Sequence, residues 1–340
     1  MASTSSPPHV TVHGEITTTH HPEIEVDSAS DIDSSYSDSD LETYTTSLSD
    51  SAFDYQYENG RRYHKFREGQ YAFPNDESEQ DRLDMHHHML TIVQKGELHG
   101  APLHVPQQIL DCGTGTGIWA IEMADKYPSA VVTGNDLSPI QPTWVPPNVK
   151  FEIDDLESQW TYPANFFDFV YVRYMLGSIA DWPKLIGQAF EAIKPGGYIE
   201  IFEPSSYILC DDGSLPEDCV LRKWNNLFIE AVEKAGRSLV AAPKHKTWMV
   251  EAGFVDIHED IFKLPNSPWP KDKYLKEVGA YHMASFMEAL EGLTLRLFTS
   301  VLKISPEECQ LMLVDVRKDL KNKSYHTYYD LHRVYGRKPE

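Results

Sequence analysis

The residues best placed to do chemistry are three glycines and an acid that follows them. Gly113, Gly115 and Gly117 alternate with threonine between a short apolar segment and a helical pattern. Glycines at such a junction let the backbone turn tightly and approach a ligand closely. Asp136 ends the next apolar segment, 19 residues after Gly117. A carboxylate there can accept hydrogen bonds from both hydroxyl groups of a ribose, which predicts a ligand that contains a nucleoside.

The glycines alone do not choose between nucleoside cofactors, because the last two, with Ala120, also satisfy the dinucleotide pattern. Asp111 stands two residues before the first glycine, where a carboxylate attracts a cation and repels a pyrophosphate. Asp154 and Asp155 follow the third predicted strand, where either acid can accept a hydrogen bond from the amino group of an adenine. These acids favour S-adenosylmethionine, which has a cationic amino-acid end and no phosphate.

The elements that must position these residues alternate between strand and helix. Predicted strands cover 108–111, 130–136, 149–153, 167–172 and 198–202, and helical patterns cover 118–126 and 182–193. Strands separated by short helices predict βαβ units and a parallel sheet. The C-terminal third adds helical stretches over 215–255 and 271–299, a helix that begins at the capping box of Ser305 and Glu308, and strands over 254–262 and 326–335.

The N-terminal part of the chain differs from the rest in charge and composition. The formal net charge is −22, and residues 1–60 contribute twelve acidic side chains without any Lys or Arg. Residues 1–54 are rich in Ser, Thr and Asp, so we expect a disordered acidic tail that cannot bury enough apolar surface to fold. The aromatic segment 55–106 is expected to form a cap on a catalytic domain over 107–340, whose last helices would lie on the substrate side.

Composition argues against several classes of protein. An acidic body disfavours binding to nucleic-acid phosphates, which requires Lys and Arg. The four cysteines have no CxxC spacing, and no apolar run is long enough to span a membrane. The N-terminus lacks the basic and apolar regions of a signal peptide. We therefore expect a soluble intracellular protein, in the cytoplasm or the nucleus, without nucleic-acid or membrane partners.

In order and spacing, these motifs resemble the class I S-adenosylmethionine-dependent methyltransferases over about residues 107–203. The resemblance implies a doubly wound α/β fold with a seven-stranded, mostly parallel sheet, an antiparallel last strand and an N-terminal helical cap. It implies that Asp136 binds the ribose and that Asp155, or the adjacent Asp154, binds the adenine. The cofactor-binding residues implied in this way are Asp111, Gly113, Gly115, Gly117, Asp136, Leu137, Asp154, Asp155, Leu156 and Arg173.

A closer resemblance, to the fungal LaeA-like methyltransferases, extends over about residues 55–205. It is carried by ENGRRYH at 58–64, YAFPNDE at 71–77, GIWAIE at 117–122, DLSPIQP at 136–142 and RYMLGS at 173–178. In this resemblance the segment before the sheet caps the cofactor pocket, so Tyr63 and Arg62 are candidate pocket residues. The alternative is that both residues only pack the cap onto the sheet.

The candidates for a general base are His86, His87 and Glu203, and no catalytic triad is visible. The two histidines belong to a run of three, but adjacent residues of a helix point in different directions, so we predict no metal site. Glu203 falls just after the fifth predicted strand, near the edge where ligands bind in such folds. It could orient a substrate or be a solvated loop acid.

The sequence predicts methyl transfer better than it predicts the methyl acceptor, because transfer from a sulfonium depends mainly on positioning. One hypothesis is an enzyme that acts on a small molecule of fungal secondary metabolism. The LaeA-like resemblance implies another, a regulatory methyltransferase that acts through protein partners. A third is a scaffold that binds S-adenosylmethionine without turnover. An NAD-dependent oxidoreductase is a more distant alternative, which binding of NADH instead of S-adenosylmethionine would support.

Overall fold

The computed structural model describes residues 15–22, 24–26, 55–58, 60–63 and 73–340. Three short strands come first: β1 (Ile16–His20), β2 (Gln56–Glu58) and β3 (Arg61–Tyr63). The middle of the chain forms α1 (Glu77–Val93), β4 (Gln108–Cys112), α2 (Ile118–Lys126), β5 (Val131–Asp136), β6 (Val149–Ile153), β7 (Phe167–Arg173), α3 (Trp182–Ala192) and β8 (Ile193–Leu209). The C-terminal elements are α4 (Val220–Lys234), α5 (His245–Ala252), β9 (Val255–Pro265), α6 (Lys273–Leu297), α7 (Pro306–Lys321) and β10 (Tyr328–Arg337).

Eight strands form one sheet in the order β1-β9-β10-β8-β7-β4-β5-β6. Neighbouring strands are parallel except around β10, which runs antiparallel to both β8 and β9. The chain moves outward from β4 through β5 to β6 and then returns to β7 on the other side of β4. This reversal creates a crevice at the carboxyl ends of β4 and β7, where open α/β sheets bind ligands. The predicted doubly wound, mostly parallel sheet with an antiparallel last strand is confirmed.

The sheet has one strand more than the seven predicted. β1 lies parallel to β9, with Ile16 opposite Ile257 and His20 opposite Ile261. This strand lies within the segment 1–54 that was expected to be disordered, of which residues 1–14, 23 and 27–54 lie outside the described part of the chain. β1 begins with Ile-Thr-Thr-Thr, whose β-branched side chains favour extended backbone, and the edge of β9 supplies its pairing partner. The polar composition of the whole tail concealed this short run.

Side-chain caps determine where two of the predicted helices begin. Asp76 accepts a hydrogen bond of 3.1 Å from the backbone N–H of Glu79 at the start of α1. At the start of α7, Ser305 and Glu308 form the predicted capping box, in which each side chain accepts from the backbone N–H of the other. Such caps satisfy N–H groups that have no partner within the helix. The start of α1 is thereby fixed, and α1 carries two of the three candidate bases.

Two predicted boundaries differ from the structure. The helical pattern over 215–255 is two helices, because Gly236 takes a left-handed conformation with φ of 80° just after α4. β8 is much longer than the strand predicted over 198–202. It includes the KPGG residues 194–197, which bulge where the register with β7 shifts after Phe167. Backbone hydrogen bonds hold this bulge beside the end of β10: the N–H of Gly196 donates to the carbonyl oxygen of Lys338, and the N–H of Lys338 donates to the carbonyl oxygen of Gly197.

Helices cover both faces of the sheet. Successive side chains of β7 point alternately to one face and to the other. On one face, the indole ring of Trp119 in α2 stacks on Tyr171, with ring centres 4.0 Å apart. On the other face, Leu185 of α3 packs in a separate core. A third core around Trp224 joins α4, α6 and α7. None of the described helices combines the length and the apolar character that crossing a lipid bilayer requires.

We predict that Gly279→Ala destabilises the fold, whereas Gly187→Ala does not. A Cβ atom at Gly279 in α6 would lie 2.3 Å from the backbone oxygen of Ser267, whereas at Gly187 in α3 it would meet nothing within 4 Å. We expect the free energy of unfolding to fall by about 1–3 kcal/mol for Gly279→Ala and to rise by up to about 1 kcal/mol for Gly187→Ala. Urea denaturation measures both. Equal effects would contradict the close approach of α6 to Ser267.

Candidate active site

A cavity opens at the carboxyl ends of β4, β5, β6 and β7, and α1 forms its opposite wall. The lining includes residues 113–116, 135–138, 154–157 and 173–175 from the strand ends and loops, and Leu83, His86, His87 and Leu90 from α1. The structure therefore brings together eight of the predicted cofactor-binding residues: Gly113, Gly115, Asp136, Leu137, Asp154, Asp155, Leu156 and Arg173.

The glycine loop turns sharply over the end of β5. The backbone N–H groups of Gly113 and Thr114 both donate to the carbonyl oxygen of Asn135, at 2.8 and 2.9 Å. Gly113 has φ of 71°, in the left-handed region that favours glycine. A Cβ atom there would lie 2.1 Å from the sulfur of Met175. Any other residue would therefore strain the turn and displace the Met175 side chain from the cavity wall.

Asp136 is bonded to the glycine loop on one side and to its own loop on the other. One carboxylate oxygen accepts from the N–H of Gly115 at 2.9 Å, and the other accepts from the N–H of Ser138 at 2.9 Å. Gln141 reinforces the arrangement, because its amide donates to the carbonyl oxygens of Gly115 and Ser138. A carboxylate oxygen can accept more than one hydrogen bond, so Asp136 can still accept from a ligand.

The two acids after β6 both line the cavity but differ in their surroundings. Asp155 is buried, and its carboxylate accepts from the N–H of Glu157 at 2.9 Å and from the hydroxyl of Ser158 at 3.0 Å. Asp154 is less buried and accepts from the N–H of Asp155 at 2.8 Å. The local bonds hold Asp155 in one orientation, which suits recognition of a flat base. Its role in binding adenine, like that of Asp154 as the alternative, stays a prediction.

Two predicted cofactor-binding residues lie behind the cavity wall and not on it. Asp111 is buried near the end of β4, where it accepts a hydrogen bond of 2.6 Å from the Thr114 hydroxyl. Burial raises the pKa of Asp111 to about 6. Gly117 precedes α2 with φ of 82°, and a Cβ atom there would lie 2.4 Å from the ring of Phe151. Both residues therefore shape the glycine loop, and a direct contact of either with the cofactor stays a prediction.

Arg173 is held in the cavity wall by His87. The guanidinium Nη1 donates to Nδ1 of His87 at 3.0 Å, and Nε2 of His87 lies 3.0 Å from a carboxylate oxygen of Glu122. Since Arg cannot accept a hydrogen bond, Nδ1 is the unprotonated nitrogen and Nε2 donates to Glu122. Burial and the charge of Arg173 lower the pKa of His87 to about 3. Both nitrogens of His87 are thus engaged, and the ring positions Arg173 instead of acting as a base.

The three consecutive histidines of α1 face three different neighbours, as helical geometry predicts. His86 places Nδ1 3.3 Å from the hydroxyl of Ser285, and the ring of His88 meets Tyr281 edge to face. In the part of the chain that the structure describes, no group of His, Cys, Asp or Glu side chains could hold a metal ion. His86 remains a candidate base, because its Nε2 is buried without a hydrogen-bond partner among the described residues.

Glu203 lies within β8 and is buried, which rules out the alternative of a solvated loop acid. One carboxylate oxygen accepts from the backbone N–H of Met175, and burial raises the pKa of Glu203 to about 8. The residue before Met175, Tyr174, has φ of 53°, a conformation that costs energy for any residue with a side chain. Glu203 therefore supports the strained turn that places Tyr174 and Met175 in the cavity wall. It is not among the residues that line the cavity.

Tyr63 and Arg62 belong to the β2–β3 hairpin and do not line the cavity. Tyr63 is buried beneath the guanidinium of Arg296, which lies 4.7 Å from the centre of its ring. Arg62 donates to the carbonyl oxygen of Asn75 and to the carboxylate of Glu77, each at 2.7 Å. The hairpin thus packs against the start of α1, as in the alternative interpretation of the cap. Arg62 affects the cavity indirectly, through Asn75.

Several cavity residues were not singled out from the sequence. Asn75 donates to the Ser138 hydroxyl at 3.2 Å and so joins the start of α1 to the loop after β5. Thr116 donates to Asp84 of α1 at 2.6 Å, which links the same helix to the glycine loop. Asn75 and Ser138 fall inside the PNDE and SPIQP motifs, so the signal was present. A motif does not reveal which of its side chains face a cavity.

The charges around the cavity discriminate between cofactors. Four carboxylates line it, and among the described residues they are opposed by one guanidinium, that of Arg173. The carboxylates belong to Asp136, Asp154, Asp155 and Glu157. A pyrophosphate would be repelled by this net negative charge, whereas a sulfonium and an ammonium group would be attracted. The cavity therefore fits S-adenosylmethionine and disfavours NAD.

The strand order, the glycine turn and the acidic cavity together define a nucleoside-binding α/β fold of the methyltransferase class. A family model described as a methyltransferase domain matches residues 60–259, and the chain belongs to this family. The protein is thus an S-adenosylmethionine-dependent methyltransferase, and its likeness to the LaeA-like proteins is confirmed by the relatives described next.

Three relatives resemble most of the chain. Methyltransferase pytC of Aspergillus terreus is 44% identical over 302 residues, which cover 88% of this chain and 93% of the relative. Secondary metabolism regulator LAE1 of Cochliobolus heterostrophus is 39% identical over 290 residues, which cover 83% and 94%. Protein-methionine methyltransferase laeA of Emericella nidulans is 37% identical over 285 residues, which cover 83% and 76%.

We predict that Glu203→Gln makes the stability of the protein less dependent on pH. The pKa of Glu203 rises from 4.5 to about 8 on folding, so between these values the folded chain keeps a proton that the unfolded chain loses. This stabilisation is complete below the unfolded pKa and is lost as the pH rises through the folded pKa. Gln keeps an acceptor for the N–H of Met175 but does not ionise.

Urea denaturation at about pH 5 and about pH 8.5 tests this dependence. Between these pH values we expect the wild type to lose roughly 1–3 kcal/mol more free energy of unfolding than Glu203→Gln. Equal losses in the two proteins would mean that the carboxyl group of Glu203 ionises as easily in the folded chain as in the unfolded chain.

Proposed function

We propose that the protein methylates a small organic molecule and that the acidic cavity holds S-adenosylmethionine. The observation that carries the cofactor assignment is the set of four carboxylates gathered around the glycine loop with one guanidinium facing them. The cofactor supplies a methyl group on a positively charged sulfur atom. Since that group is already activated, the protein has mainly to hold the two reactants in line and exclude water.

Each side of the cavity has a distinct role in this proposal. Asp136 accepts hydrogen bonds from the ribose hydroxyls, and Asp155 accepts from the adenine amino group, with Asp154 as the alternative acid. Leu137 and Leu156 supply the apolar walls beside these polar contacts. The guanidinium held by His87 suits a carboxylate, which is what the amino-acid end of the cofactor offers. Residues 55–106 act as the cap of a catalytic domain over 107–340.

A small acceptor is supported by the shape of the space beside the cofactor cavity. That space is a second cavity walled by α1, α4, α6, β8 and β10, and it is about as open to solvent as the cofactor cavity. The second cavity has a volume of about 150 Å³, similar to the volume of about 130 Å³ of the cofactor cavity. Concave sites of this size suit small organic molecules better than the surface of a folded protein.

A regulatory methyltransferase that acts on a protein is the second candidate. The names of two relatives favour it, because one is called a secondary metabolism regulator and another a protein-methionine methyltransferase. A scaffold that binds the cofactor without turnover would keep the same cavity. Incubation with S-adenosylmethionine labelled in its methyl group separates these functions. Label in small molecules from a fungal extract supports the main proposal, whereas label only in protein, or none, supports one of the alternatives.

We predict that Asp136→Asn weakens binding of S-adenosylhomocysteine by about tenfold or more. Asn retains an oxygen that can accept from one of the two N–H groups that donate to Asp136. It removes the negative charge that strengthens the hydrogen bonds from the ribose hydroxyls. Asp125→Asn is the matched control, because Asp125 is an exposed acid on α2. Isothermal titration measures the three dissociation constants, and circular dichroism verifies the folds. A wild type that binds NADH but not S-adenosylhomocysteine would overturn the cofactor assignment.

A further inference from the structure

The second cavity is lined mainly by aromatic rings. Trp224 and Phe228 of α4 stack with ring centres 5.2 Å apart, and Phe286 of α6 lies 5.5 Å from Trp224. Tyr329 of β10 completes this wall at 6.3 Å from Phe286. Rings arranged in this way offer flat apolar surfaces, against which another flat apolar molecule packs well. The lining thus favours an aromatic ligand over a long flexible one.

The charge of the second cavity contrasts with that of the cofactor cavity. Among the described lining residues there is no carboxylate, and the one formal charge belongs to Arg82. Arg82 is paired with Glu79 through two hydrogen bonds of 2.6 and 2.9 Å. Glu79, which does not line the cavity, therefore offsets the positive charge of Arg82. Without a carboxylate in the described lining, the charge of a cationic ligand would not be neutralised, so the cavity favours an uncharged molecule.

Hydrogen-bond acceptors face the second cavity from α4 and α6. His282 has Nδ1 2.9 Å from the carbonyl oxygen of Pro265, and a carbonyl can only accept, so Nδ1 carries the proton. The other nitrogen, Nε2, is then an acceptor. The amide nitrogen of Asn225 donates to the carbonyl oxygen of Ser206 at 2.8 Å, and its oxygen is buried without a partner among the described residues. Acceptors of this kind suit hydroxyl groups on the ligand.

The two cavities meet at three shared side chains: Leu83 and His86 of α1 and Tyr174 after β7. The ring of His86 lies edge to face with that of Tyr174, with ring centres 4.0 Å apart. At this junction a ligand in the second cavity comes nearest to the cofactor. The Nε2 atom of His86 is buried and unpartnered among the described residues, and such a group is costly unless a ligand satisfies it.

We propose that the second cavity is the methyl-acceptor site and that it binds an uncharged aromatic hydroxy compound whose hydroxyl group donates to Nε2 of His86. This inference rests on the proposed function, because it assumes that the neighbouring cavity holds the cofactor. The hydroxyl oxygen is then held at the junction of the two cavities, with the rings of α4 and α6 around the aromatic part. Burial and the nearby Arg82 lower the pKa of His86, which favours the neutral imidazole, and in the tautomer that donates from Nδ1 to the Ser285 hydroxyl its Nε2 accepts.

The inference is tested with 2-naphthol as an aromatic hydroxyl probe. Its binding to the full chain is measured by isothermal titration with and without saturating S-adenosylhomocysteine. Two probes of similar size serve as controls: 2-methylnaphthalene lacks the hydroxyl group, and 2-(aminomethyl)naphthalene is a cation. We expect 2-naphthol to bind more tightly than 2-methylnaphthalene by about threefold to tenfold, as one hydrogen bond allows, and the cation to bind weakest.

Substitutions locate the probe in the second cavity. Ala289→Phe places a ring in the cavity from α6, where Ala289 is part of the lining, and should weaken binding of 2-naphthol by about tenfold or more. His86→Phe keeps a ring at the junction but removes the acceptor, so it should abolish the preference for 2-naphthol over 2-methylnaphthalene. His88→Phe is the matched control, because His88 is exposed on the same helix and should leave that preference unchanged.

The outcomes separate this inference from the proposed function. If S-adenosylhomocysteine fails to bind the wild type, the proposed function fails, whatever 2-naphthol does. If S-adenosylhomocysteine binds but 2-naphthol does not, or the cation binds as tightly, the acceptor class is wrong. If Ala289→Phe binds 2-naphthol like the wild type, the probe lies elsewhere. Should Ala289→Phe unfold at a lower temperature than the wild type, Ala289→Met replaces it as a smaller obstruction with the same expected direction.

Discussion

One backbone turn after β4 sets the position of everything around the cofactor cavity. Gly113 and Thr114 donate to the carbonyl oxygen of Asn135, which attaches the glycine loop to the end of β5. The next residue, Asp136, returns a carboxylate oxygen to the N–H of Gly115. Loop and acid therefore fix each other, and neither can shift alone. The turn is possible because Gly113 has no Cβ atom in the space that Met175 fills.

The fold was largely predictable because its signals are local. Each strand that carries the cavity is a short apolar segment next to a glycine turn or an acid, and each such segment is followed by a helical pattern or a turn. The parts that were missed depend on tertiary pairing. β1 exists because β9 offers it an edge, and residues 194–197 continue β8 through backbone hydrogen bonds with Lys338, which directly follows β10. The amino-acid sequence of each of these segments does not identify the part of the chain with which it pairs.

The cofactor side of the site was more predictable than the acceptor side. Asp136 and Asp155 follow strands whose carboxyl ends must meet at one edge of a parallel sheet, so sequence order alone brings them together. His86 and His87 are adjacent, yet one ring positions Arg173 and the other faces two cavities, a distinction that only packing creates. The second cavity combines helices more than a hundred residues apart in the chain, and no spacing rule relates them.

The position of β10 has a consequence for folding during synthesis. β10 is the last of the described strands, yet it lies between β8 and β9, and β1 is attached only to β9. A growing chain that has already released β8 and β9 cannot connect them until β10 leaves the ribosome. Until then, β8 and β9 have unpaired edges, which are prone to association with other chains. Completion of the sheet thus waits for β10, and pairing across such long separations is slow.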